Sequence, residues 1–114
     1  MMKIFVSSPY GAVFEEVKDE KLAREIALKM ARAGARAVLE MGHLPLSPVL
    51  AFDGVYDEKT QRELAIAHSL EALKWCDGIM SVRSPLSAFS KGMILEEDLA
   101  NRLEKAKFEF EFKG

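Results

Sequence analysis

Ser90-Lys91-Gly92-Met93, followed by Glu96, Glu97 and Ala100, is the sharpest local cluster of residues able to do chemistry. Gly92 permits close approach of a ligand to the backbone, and the start of a helix offers unpaired N–H groups to an anion. At about 100° per residue, Leu95, Leu99, Leu103 and Ala106 occupy one narrow arc of that helix. Glu96 lies just beyond the arc's edge, whereas Glu97 and Asp98 point farther toward solvent. A carboxylate at the rim of an apolar face can be oriented for catalysis, which makes Glu96 the better candidate. The competing reading is a helix whose early acidic residues answer only its dipole.

Arg62 is the second such residue. It belongs with Ile66, Ser69, Leu70 and Leu73 on the inward arc of a helix, one turn from its start. Its fork of donors suits a phosphate or carboxylate, although pairing with Asp57 or Glu96, or extension into water, would serve structure alone. Ser7, Ser8, Tyr10 and Gly11 form a polar turn that can hold a sugar or phosphate, with Tyr10 stacking on a base. An ordinary Pro-Tyr-Gly turn is the alternative. Phe52 and Tyr56 can wall a base pocket or anchor a loop, and Asp53-Gly54 is first a turn signal. His43 and His68 have no catalytic partner in view and read as structural histidines. GxGxxG and GxxxxGK[ST] are both absent, which weakens dinucleotide and NTPase readings.

These residues need elements to hold them. Lys3–Ser8 is a short β-rich run ended by Pro9-Tyr10-Gly11. From Asp19 to Met41 the pattern is helical, with Leu22, Ile26, Met30, Ala33 and Ala37 in one arc, Asp19 as N-cap and Gly42 as the stop. Gly34 inside that helix marks either a break or a close helix–sheet contact. His43–Ser47 is a short strand that Pro45 and Pro48 confine to an edge or a strand end. Residues 49–56 read as a loop, Asp57–Trp75 as a helix capped by Asp57, and Asp77–Val82 as a strand. A loop through Ser90 then leads to a helix over about Met93–Glu104. Phe108, Phe110 and Phe112 alternate with acidic residues in a last strand, expected at a sheet edge. Strands alternating with helices predict right-handed crossovers and a parallel sheet between two helical layers, with the site where the loops after Ser8, Ser47 and Val82 meet.

Composition narrows the function. The 114 residues, 49% hydrophobic, suffice for one domain with a real core and no staples. Sixteen basic against eighteen acidic residues give a net charge of -2, which argues against a general duplex nucleic-acid binder while leaving room for one phosphate. A single cysteine, Cys76, excludes an intramolecular disulfide framework, and with His43 and His68 far apart it makes no zinc set. No apolar stretch approaches the roughly 20 residues of a membrane-spanning helix, so the expected location is the cytoplasm. Leu64, His68, Ala72 and Trp75 give the second long helix another partly apolar side, which makes a homodimer or higher homo-oligomer plausible, although a lone tryptophan at a helix end usually packs in the core.

Taken together, KIFVSSPYG, the alanine-rich helix ending GHLPLSP, Arg62, WCDGIMSV and SKGMILEEDLA resemble the nucleoside 2-deoxyribosyltransferase-like superfamily over almost the whole chain, in particular its small bacterial and phage branch. The resemblance implies one domain over residues 1–114 with a flavodoxin-like fold, a three-layer sandwich on a mostly parallel sheet of four or five strands. It also implies cleavage of an N-glycosidic bond by a glutamate that attacks the anomeric carbon, with no metal or organic cofactor. In the superfamily's G-x-x-x-E-x-G-x-A pattern the positions here are Gly92, Glu96, Asp98 in place of the middle glycine, and Ala100. Ser8, Tyr10, Gly11, Arg62, Ser90, Gly92 and Met93 would form the rest of a nucleotide or nucleoside site. Two aspartates of the superfamily are missing: the loop after the third strand is Arg83-Ser84-Pro85, and the preceding helix carries Ser69. Another group such as Asp53, Asp57 or Glu97 would then have to protonate the leaving base. Three functions follow as expectations: a glycosidase or deoxyribosyltransferase, a nucleotide-binding protein without turnover, and an accessory protein that binds a partner through the Trp75 side or the last strand.

Overall fold

A computed structural model of residues 1–114 shows a three-layer α/β sandwich of the flavodoxin-like kind. Its four strands are β1 (Lys3–Ser7), β2 (Leu44–Leu46), β3 (Gly78–Arg83) and β4 (Ala106–Glu111). They lie in the order β2-β1-β3-β4, every neighbouring pair parallel, so four strands suffice and β2 and β4 are the edges. Pro45 costs little in β2 because that strand pairs only with β1. The helices are α1 (Gly11–Glu16), α2 (Glu20–Glu40), α3 (Pro48–Phe52), α4 (Arg62–Lys74) and α5 (Lys91–Arg102). No helix is long and apolar enough to cross a membrane.

Strand alternation sorts the core into two layers. Ile4, Val6, Met80 and Val82 meet Val13 of α1 and Ala23, Ala27, Met30 and Val38 of α2 on one face. Phe5 and Ile79 meet Leu73, Cys76 and Ala100 on the α4–α5 face. Phe108, Phe110 and Phe112 pack partly buried against the first layer, as the alternation of the last strand predicts.

The sheet-facing stripe of α2 is Ala23, Ala27, Met30, Ala31, Gly34 and Val38, rotated from the expected arc, and Leu22 is half exposed. Small residues win this face because they let the helix settle close to the sheet. A Cβ on Gly34 would lie 2.5 Å from Val82 Cγ2 and 2.8 Å from Val6 Cγ1, so Gly34 marks a close contact and not a break. Asp19 accepts from the Leu22 N–H, and Gly42 ends the helix at φ 82°.

Three further boundaries differ from expectation. Residues 49–56 are not all loop: Ser47 caps α3, with Pro48 at the start. The second long helix starts at Arg62, not Asp57, because Asp57 forms a turn in which its carboxylate accepts from the Lys59 N–H. The last helix begins at Lys91, capped by Ser90, and ends at Arg102, while Ala106 already belongs to β4. The expected inward arc of Leu95, Leu99 and Leu103 is also displaced. Leu95 and Leu103 are exposed, Leu99 is partly buried, and Met93 and Ala100 are the buried residues of α5. Trp75 is not core packing; it is 73% exposed at the end of α4.

Candidate functional site

Period-two alternation along β1 sends Phe5 and Ser7 toward the α4–α5 layer, between Ile4 and Val6 on the other side. On α5, Met93, Glu96 and Ala100 follow helical spacing along the face turned to the sheet. Ser7 and Glu96 therefore meet across 89 residues of sequence, where the Ser7 hydroxyl donates to Glu96 Oε1 at 2.6 Å. Ser7 is fully buried and Glu96 partly so. Loss of water around the Glu96 carboxyl pushes its pKa up to about 8; the Ser7 hydroxyl opposes that shift, and neighbouring Glu97 adds to it.

Glu96 lies in the wall of a cleft at the carboxyl ends of β1 and β2, the place where open parallel sheets hold ligands. Ser8, Tyr10, Gly11, Arg62, Ser90 and Gly92 line the same cleft, so every expected site residue is brought together except Met93. Met93 is buried beneath, its N–H donating to Ser90 Oγ at 3.3 Å. The Ser8 hydroxyl is buried in the wall with no protein hydrogen-bond partner, a donor suited to a ligand oxygen.

Gly11 and Arg62 are interlocked. A Cβ on Gly11 would stand 1.6 Å from Arg62 Nη2, so the guanidinium occupies the space that glycine leaves at the start of α1. Its nearest carboxylate is Glu58, at a loose 3.9 Å, and nearly half of the Arg62 side chain stays exposed. The charge is thus directed at the cleft without being consumed by an ion pair. Burial and the nearby carboxylates of Glu58 and Asp53 hold the Tyr10 phenol above its ordinary pKa, so it remains a proton donor.

The chain belongs to the DUF7768 family. The family, described as a domain of unknown function, matches residues 2–110 and so includes every residue of the cleft. No curated protein matches. No three His, Cys, Asp or Glu side chains are grouped to hold a metal ion.

Several residues considered for the site take other places. Asp53 lines the cleft, but both its carboxylate oxygens are engaged by Arg24. Glu97 does not point to solvent as expected; it pairs with Arg83 at 2.7 Å on the far side of α5. Asp57 is held in its turn, and Ser69 lines the cleft but donates its hydroxyl to the Ala65 carbonyl at 2.9 Å. His43 Nδ1 accepts from the Met2 N–H, a structural role, whereas His68 Nδ1 lies 2.6 Å from the Tyr56 hydroxyl and stacks edge-on with it beside Phe52. The loop after β3 is closed on itself by Ser87, which accepts from the Ser84 N–H and donates to the Val82 carbonyl. Sequence reasoning missed two participants. Glu58 follows the expected cap Asp57 with no spacing signal of its own, and Ser7 reads only as part of a polar turn; alternation along β1 is the signal that separates Ser7 from Ser8.

Proposed function

We propose that this protein cleaves the N-glycosidic bond of a deoxynucleotide or modified nucleoside in the cytoplasm, with Glu96 as nucleophile. The observation that carries the reading is the Ser7–Glu96 pair set in a cleft that also holds Arg62, Tyr10 and an unpartnered Ser8 hydroxyl. The likeness of the SKGMILEEDLA segment to the nucleoside 2-deoxyribosyltransferase-like superfamily supports the same assignment.

In this reading, Ser7 holds one carboxylate oxygen of Glu96 and leaves the other free to attack the anomeric carbon. The bond from that carbon to the base nitrogen breaks, and the base leaves with the electron pair. Tyr10, on the wall of the cleft and held protonated, supplies its proton, taking the place of the aspartates that Ser69 and the Arg83-Ser84-Pro85 loop lack. Water or a second base then attacks the same carbon and releases Glu96, the double displacement of retaining glycosidases. Arg62, Ser8 and Ser90 would hold a phosphate or sugar oxygen.

A second reading has its own observation. A carboxyl whose pKa is near 8 is mostly protonated at neutral pH and attacks poorly, which favours a protein that binds nucleotides without turnover. Chromatography of free base released from a panel of deoxynucleotides and nucleosides separates the two. Release that vanishes in Glu96→Ala, with an ascending pH limb centred near 8, is the expected result. No release from any substrate, with nucleotide still raising the melting temperature, would establish the binding protein instead.

A further inference from the structure

Strand β4 pairs on one side only, with β3. The Ala106 N–H donates to the Asp77 carbonyl and the Phe112 N–H to the Arg83 carbonyl, so the backbone groups of even-numbered residues point to β3. Alternation directs those of Lys107, Glu109 and Glu111 outward, to the free edge. An open edge of this kind is a template for another strand, and proteins usually blunt it with charge that repels an incoming copy.

Here the charge does the opposite. Residues 105–111 read Lys-Ala-Lys-Phe-Glu-Phe-Glu. We propose that a second copy of this chain adds antiparallel at this edge, about a twofold axis through Phe108, joining two four-stranded sheets into one. In that register Lys107 faces Glu109, Glu109 faces Lys107, and Lys105 faces Glu111 in both directions. The Lys107 and Glu109 backbone groups fall opposite one another, as hydrogen-bonded pairs require. Moving the axis to Glu109 sets that carboxylate against itself, and moving it to Phe110 opposes Lys with Lys and Glu with Glu. Charge therefore selects one self-complementary register. The intramolecular contacts at these side chains, Lys107 to Asn101, Glu109 to Arg83 at 3.4 Å and Lys105 Nζ to the Lys74 carbonyl at 3.0 Å, leave the outward backbone groups of Lys107 and Glu109 free. None of these residues lines the cleft, so the inference is independent of the proposed chemistry.

Sedimentation of the full chain from about 1 to 100 µM, a range that brackets a stable self-association, tests it. The expected result is a dimer whose dissociation constant rises at least about tenfold in Lys107→Glu or Glu109→Lys and returns to within about threefold of wild type when both are combined. Glu109→Pro removes an edge N–H while sparing the ladder to β3, and should give a folded monomer by circular dichroism. A monomer throughout the range, or a dimer indifferent to the charge swap, overturns the proposal. So does a dimer dissolved by Trp75→Ser, which would put the interface on α4.

Discussion

Glu96 is the residue on which the molecule's pH behaviour turns. Its pKa near 8 against an ordinary 4.5 means that the folded chain holds this proton more tightly than the unfolded one. The stability tied to that proton is complete below about pH 4.5 and is lost as the pH climbs through 8. Glu96→Gln cannot ionise, so it should match wild type near pH 4.5 and exceed it by up to about 4 kcal/mol at pH 8, in urea unfolding at the two pH values. A difference that does not change with pH would mean that the carboxyl ionises freely in the fold. Spacing was enough to prefer Glu96 over Glu97, but for an incomplete reason. The leucines that defined the expected apolar arc are largely exposed, and Glu96 sits on the buried side through its neighbours Met93 and Ala100. Leucine content was a poor guide to the inward face because much protein surface is apolar anyway.

At the scale of elements, the long helix was legible because its period runs over many residues, and the strands because short β-rich or alternating runs end at turn residues, whereas α1 and α3 were not. Six residues of α1 start without a side-chain cap, which leaves little local signal. For α3 the signal was present in Ser47-Pro48, a cap followed by proline at the first helical position, but the neighbouring Asp53-Gly54 turn obscured it. Gly34 illustrates how packing overrides local preference. Alanine there would gain about 1 kcal/mol of helix propensity, yet its Cβ would press on two core valines of the central strands. Overpacking a sealed core typically costs 1–3 kcal/mol. Gly34→Ala should therefore lower stability by about 1 kcal/mol net in chemical denaturation; an increase would show that α2 lifts from the sheet at no cost.

For the whole molecule, the cleft is an emergent property of topology. Its wall draws on the end of β1, the start of α1, α3 and the turn after it, α4 and the start of α5, so no local motif specifies it. The strand order placed these segments together as an open parallel sheet requires, which is why the general location was legible. The contacts that tune it, Ser7 with Glu96 and Gly11 with Arg62, join residues far apart in sequence and could not be read from spacing. The Gly11–Arg62 interlock separates the stability of the fold from the competence of the site. Alanine is compatible with the backbone at Gly11, whose φ is not positive, and the group it displaces is the end of a flexible side chain. Gly11→Ala should hence leave the melting temperature of the free protein within about 2 °C of wild type. It should nevertheless turn the guanidinium out of the cleft. A saturating deoxynucleoside 5'-monophosphate at about 100 times its dissociation constant adds roughly 2.7 kcal/mol to wild-type stability by linkage. At the same ligand concentration, both Gly11→Ala and Arg62→Ala should lose most of that gain. Full retention in either variant would remove Arg62 from the site and leave the serines to hold the anion alone.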